Sequence, residues 1–224
     1  MPKVLQGLLI GVLCPVHAML AMMLASWAFG GGFAFNAWAA VGLAVGALYG
    51  LQAGILVIYD LNGKGWWQLV VDTTWSLPST ALGLVFGNAI YVFVGKISRA
   101  DSEGKGWIVY KCGPEKTAGF GVDVLQTLGT VNLGGEGAHE PVHVLQARVF
   151  GPLYLAIYGV DYALNFIAQC LWCATLGPIT KAAGWRGQIP LYPPSTSAVS
   201  GFWGWIYAAT LFEIWAYSTE RRRS

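Results

Sequence analysis

Residues 4–29, VLQGLLIGVLCPVHAMLAMMLASWAF, run from Val4 to Phe29 without one formal charge, and residues 33–59 resume the apolar pattern after Gly30-Gly31-Gly32. A bilayer core is crossed by a helix of roughly 20 mostly apolar residues, so each stretch is long enough to span, and three glycines between them allow only a hairpin. The chain is therefore expected to be an integral membrane protein. Composition agrees: of 224 residues, 55% are hydrophobic and 11% charged, and mean hydropathy is +0.54, outside the range of ordinary soluble domains. A net charge of +2 is too small to make nucleic acid the driving partner. The start, Met-Pro-Lys and a long apolar run, lacks a small-residue cleavage site and reads as a retained first span.

Outward from this hairpin, residues 66–95 carry Asp72, Thr73, Thr74 and then Pro78, and read as one broken span. Residues 96–137 differ: they hold Lys96, Arg99, Asp101, Glu103, Lys105, Lys111, Glu115, Lys116 and Asp123 among many glycines, as a small aqueous insertion would. Trp107–Tyr110 and Val122–Val131 read there as short strands lying on the membrane surface. The apolar pattern resumes over residues 138–176, where Gly151-Pro152 divides a short polar-faced helix from a span. A loop with Pro178, Pro190, Pro193 and Pro194 covers 177–198, and residues 199–218 form the last span. The expected fold is an all-α membrane protein of about five transmembrane helices with a small β-containing surface insertion. Its segments are 1–95, 96–137 and 138–224.

That order assigns Lys3, Lys64, Lys181 and Arg186 to one side of the membrane. Lys96, Arg99, Lys105, Lys111, Lys116, Arg148, Arg221, Arg222 and Arg223 fall on the other, which the positive-inside rule makes cytoplasmic together with the C-terminus. Beyond the lipid bilayer, other membrane subunits are the partners such a chain would take.

Chemistry concentrates in Ala138-His139-Glu140-Pro141-Val142-His143-Val144-Leu145-Gln146, which contains H-E-x-x-H. On a helix, i and i+4 share a face, so His139 and His143 can bind one metal while Glu140 serves as general base toward a water activated there. Zinc suits this donor set because it polarises a carbonyl and lowers a water's pKa to about 7. A third protein ligand is needed, and Asp72, Asp161 and Glu213 are the carboxylates in other apolar segments. Pro141 stands where the peptidase signature has a bulky apolar residue. The helix would then have to begin near Ala138, and Glu140, preceding proline, is disfavoured in the α region. Gln146, one turn beyond His143, suits orienting a ligand or making an interhelical hydrogen bond.

The run Thr127-Leu-Gly-Thr-Val-Asn-Leu-Gly134, the motif through Gln146, then Gly151-Pro-Leu-Tyr154 and Tyr158, and later Phe212-Glu213-Ile-Trp-Ala216, resembles a widespread group of bacterial multi-pass membrane proteins. These share H-E-x-x-H-x-x-Q followed by Gly-Pro and an aromatic, with a Phe-Glu-x-x-Ala segment near the C-terminus. The likeness covers residues 125–160 and, more loosely, 211–217. It implies Glu213 as third ligand, a metallopeptidase-like site and a bacterial cytoplasmic membrane location, and supplies no particular reaction.

Other polar residues have plainer readings. Asp72 and Asp161, inside apolar segments, are expected to be paired, with Arg148 and Lys96 as candidate partners. His17 reads as an interhelical hydrogen bond before a haem ligand. Cys170-Leu-Trp-Cys173 lacks a thioredoxin-like setting and reads as packing. Two functions follow: a membrane-embedded zinc hydrolase, or a non-catalytic accessory subunit of a respiratory or photosynthetic type of complex.

Overall fold

The computed structural model describes residues 1–111, 126–133, 139–176 and 201–223. The expected loop 177–198, residues 122–125 of the expected second strand and the proposed helix start at Ala138 lie outside the described residues. Two compact units divide the chain, Met1–Pro152 and Leu153–Ser224.

The first unit opens with helices α1 (Lys3–Ala28) and α2 (Ala37–Leu56). Along α1, Gln6, Ile10, Cys14 and Ala18 are buried at fourfold spacing, while Val4, Leu8, Val12, Val16, Leu20 and Leu24 are exposed. A helix that keeps large apolar residues on its outer face suits lipid, not water. What α1 buries meets small residues on α2: a Cβ on Gly54 would come 2.6 Å from the Gly7 carbonyl oxygen, and one on Gly46 2.6 Å from Pro15 Cα. Backbones that close leave no room for larger side chains, and packing of this kind holds helices together where lipid offers no hydrophobic drive.

Helices α3 (Gly65–Thr73) and α4 (Leu77–Phe86) follow, and α4 continues through a π-helical turn, Gly87–Tyr91, and a last turn, Val92–Val94. The pair is bent by 85°. Pro78 explains the break: it cannot donate to the Thr74 carbonyl and its ring crowds that turn, so a helix continuing from Thr73 is interrupted, whereas the first turn of α4 accepts the proline. The expected broken stretch is thus found as a sharply bent helix pair.

Strands β1 (Lys96–Ile97), β2 (Ile108–Lys111), β3 (Gln126–Leu128) and β4 (Val131–Leu133) form one sheet in the order β1-β2-β4-β3, with β2 and β4 parallel and the other pairs antiparallel. Helix α5 (Arg99–Ser102) lies between β1 and β2 in sequence. The expected strand Val122–Val131 is not continuous in its described part, because Gly129, at φ +56°, turns the chain back so that Thr127 faces Asn132 across a hairpin. From the described part of the sheet, Ile108, Tyr110, Val131 and Leu133 join one core with Ile10, Tyr49, Tyr59 and Leu84. Gly83 and Gly87 on α4 permit that approach, since a Cβ on Gly83 would sit 2.1 Å from the Leu128 carbonyl oxygen. Helix α6 (Glu140–Phe150) closes the unit.

In the second unit, a 3-10 turn at Gly151–Leu153 leads from the first unit into α7 (Tyr154–Thr175), as Gly151-Pro152 predicts, and α8 (Gly201–Ala208) and α9 (Leu211–Arg223) follow. The stretch expected as a last continuous span is therefore two helices in its described part, broken before Leu211. Asp161 accepts a hydrogen bond from the Leu211 amide at 2.5 Å and from Asn165 Nδ2 at 3.1 Å, so it caps α9 as a structural group.

Two helices, α1 and α2, are long and apolar enough to cross a membrane, and the α3–α4 pair makes a third if it counts as one span. The expectation of five spans is carried to that extent.

Asp72 of α3 has no exposed surface, and its partner is Arg148, as its burial demands. Arg148 donates from Nε to Oδ1 at 2.9 Å and from one terminal nitrogen to Oδ2 at 2.8 Å, and that nitrogen also reaches the Gly106 carbonyl at 2.7 Å. Tyr59 donates to Oδ2 at 2.8 Å, and the Tyr49 and Tyr59 hydroxyls meet at 2.6 Å. Removing one partner of a buried pair leaves an uncompensated charge. Asp72→Asn is expected to destabilise the chain by about 3–5 kcal/mol, and adding Arg148→Gln to recover much of the loss, both read from thermal melts in detergent.

Candidate metal centre

The H-E-x-x-H helix forms despite Pro141. Glu140 is its first residue, Pro141 falls in the first turn where its missing N–H would have had no intrahelical acceptor, and His139 already has helical dihedrals, φ −72° and ψ −55°. The register between the histidines therefore survives, and their Nε2 atoms stand 3.1 Å apart with ring centroids at 4.9 Å.

That separation tests whether a metal fits. Two nitrogens at about 2.0–2.1 Å from one tetrahedral zinc stand roughly 3.3–3.4 Å apart, so the rings need move only a few tenths of an ångström to share an ion. Protonation agrees. His143 Nδ1 lies 2.8 Å from Gln146 Oε1, which can only accept, so the proton sits on Nδ1 and the Nε2 lone pair faces His139. Gln146 is fully buried, and in place of an interhelical hydrogen bond it makes this contact within its own helix.

Glu140 is 3% exposed and accepts a hydrogen bond from Thr127 Oγ1 at 2.6 Å, while Thr127 Oγ1 accepts from Asn132 Nδ2 at 3.1 Å. Because Asn132 donates to it, the threonine hydroxyl has its own proton to give to the carboxylate. Neither Thr127 nor Asn132 was identified from sequence as a partner of Glu140. Their signal is the hairpin register, which pairs them on adjacent strands beside α6.

Glu213 lies on α9 in the second unit and is 1% exposed. Its neighbour Phe212 stacks on Tyr158 at 6.0 Å with ring planes 6° apart and touches Tyr154 at 5.0 Å. Imidazoles such as those of His139 and His143, and a carboxylate such as that of Glu213, are donor types that hold metal ions. His17 makes the plainer contact expected of it, its Nδ1 lying 3.3 Å from Thr73 Oγ1, and Cys170 and Cys173 form no disulfide. A scan against protein-family models and comparisons with curated proteins and with solved structures find no match to this chain.

If the Gln146 contact fixes the imidazole, Gln146→Leu is expected to weaken zinc binding by about 10–100-fold, measured by competition with a chromophoric chelator, with helix content unchanged by circular dichroism.

Proposed function

We propose that this chain is a membrane-embedded, zinc-dependent hydrolase of metallopeptidase type. The observation that carries the reading is the histidine pair, with Nε2 atoms 3.1 Å apart and one ring held by Gln146. His139, His143 and Glu213 are the proposed ligands, and a metal held by them would supply Lewis acidity and an acidified water. Glu140 is the proposed general base: its carboxylate takes the proton from the attacking water and passes it to the leaving nitrogen. The hydrogen bond from Thr127 fixes the carboxylate for that transfer. Substitution separates the roles. Glu213→Gln is expected to lower zinc occupancy in purified protein, measured by elemental analysis, whereas Glu140→Gln should keep the metal and reduce peptide hydrolysis by about 10²–10⁴-fold.

A non-catalytic accessory subunit is the second reading, favoured by the same Thr127 contact, which would there use Glu140 only to tether α6 to the sheet. Wild-type protein that holds no zinc would decide for it.

The bacterial cytoplasmic membrane is the proposed location, with the Arg-rich C-terminus and residues 96–137 facing the cytoplasm, on the nine-to-four distribution of basic residues. The described outer faces of α1 and α2 are consistent with lipid contact. Cys112, which lies outside the described residues, should resist an impermeant thiol reagent in sealed cells and react after permeabilisation; labelling before it would reverse the orientation.

A further inference from the structure

The bend between α3 and α4 gathers hydroxyl groups that behave in two different ways. Thr73 and Thr74 bond back to their own helix, to the Leu69 and Val70 carbonyls at 2.7 and 2.6 Å. Ser76, Ser79 and Thr80 do not: their hydroxyls are buried and have no hydrogen-bond partner among the described residues. Ser79 and Thr80 lie in the first turn of α4, and Ser76 is the residue that precedes it. Against that turn lies the β3–β4 hairpin: a Cβ on Gly129 would come 2.2 Å from the Ser79 carbonyl oxygen and 2.8 Å from the Thr80 nitrogen. The same hairpin carries Thr130, also buried, and the Asn132–Thr127–Glu140 chain of hydrogen bonds.

We propose that the first turn of α4 is a buried water site, and that the β3–β4 hairpin connects it to Glu140 as the source of water for hydrolysis. A hydroxyl both donates and accepts, and a cluster of hydroxyls in apolar surroundings is matched by a neutral ligand that does the same. An ion would bring an unbalanced charge to a region where Asp72 and Arg148 already neutralise each other. A hydrolase enclosed by lipid needs a supply of water at its base, and three hydroxyls left unpaired by their own helix are suited to hold it. The role as water source rests on the hydrolase reading; the water site itself does not.

The test uses the full chain in detergent micelles. Thr80→Val keeps the shape and removes the hydroxyl, while Thr80→Ser keeps the hydroxyl. A hydrated site predicts that valine lowers the melting temperature by about 2–4 °C relative to serine, with Ser79→Ala falling similarly. A dry site predicts no change or a rise, because deleting an unpaired buried hydroxyl is neutral or favourable, and that result would overturn the proposal. Pulsed X-ray radiolysis gives a measurement on the unaltered protein: Leu77, buried and next to Ser76 in sequence, should be oxidised if water sits there and stay unmodified if not. A melting temperature that changes between chloride and gluconate in the wild type but not in Ser79→Ala would show a bound anion instead and also reject water. Zinc content is measured on the same samples. Absence of zinc from the wild type would remove the hydrolase reading and the supply role while leaving the hydration result intact.

Discussion

A carboxylate with no exposed surface is tolerated only where its charge is met, and in the first unit the arrangement of several elements follows from meeting it at Asp72. The Arg148 guanidinium spans both carboxylate oxygens and holds the Gly106 carbonyl with the same nitrogen, so three segments distant in sequence, α3, α6 and the chain before β2, are fixed to one another. Tyr59 and Tyr49 extend the contact into α2. Such a pair adds little net stability over an apolar core of the same shape, since desolvating both charges costs about what their attraction returns. Its effect is on specificity: any packing that separated Asp72 from Arg148 would leave two buried charges alone. The helix carrying the candidate metal site is therefore held by a constraint that has nothing to do with metal.

That constraint acts at the far end of α6, five residues beyond His143, and a different contact acts at the near end, where Thr127 holds Glu140. Between them the helix has little freedom to rotate. Gly151 then ends it, at φ +54° and so close to the Trp75 indole that a Cβ would lie 2.2 Å from Nε1, while that indole donates to the Val149 carbonyl at 3.3 Å. A pair of imidazoles can be kept at metal-binding separation by a helix alone, but their direction relative to the sheet depends on these anchors at both ends.

Much of this was legible in the sequence and some could not have been. The apolar runs disclose α1 and α2, Pro78 the bend, Gly151-Pro152 the end of α6, and the i, i+4 spacing the histidine pair, because each is a local property of the chain. Pro141 argues against the motif only until the helix is seen to start at Glu140, which leaves the proline in the first turn, where no intrahelical hydrogen bond is lost. The partner of Asp72 was limited by sequence to a cation in reach, yet nothing local chose Arg148 over Lys96 or foretold Tyr59. Tyr59 reaches Asp72 after a turn in which Val57 adopts φ +50°, a left-handed conformation that a β-branched residue rarely takes and no pattern announces. The strand register that brings Asn132 to Thr127 was hidden for the same reason, since it depends on where one glycine turns the chain.

Charge and hydropathy averaged along a segment are a poor guide to α7 in particular. It is 22 residues long, enough to cross a bilayer, yet it is not among the helices apolar enough to qualify on average. The average mixes two faces. Val160, Leu164, Ile167 and Leu171, at spacings of three and four, are exposed and apolar, whereas Asp161, Asn165 and Gln169 recur every fourth residue along another side. Asp161 on that side caps α9 and accepts from Asn165, and Gln169 is fully buried. Lipid sees only the outer face of a helix, and polar groups within a bundle cost little once they are paired, so the quantity that decides whether α7 can lie in a membrane is the hydropathy of its exposed stripe. By that measure α7 resembles α1, whose outer positions are also uniformly apolar, more than its mean composition suggests.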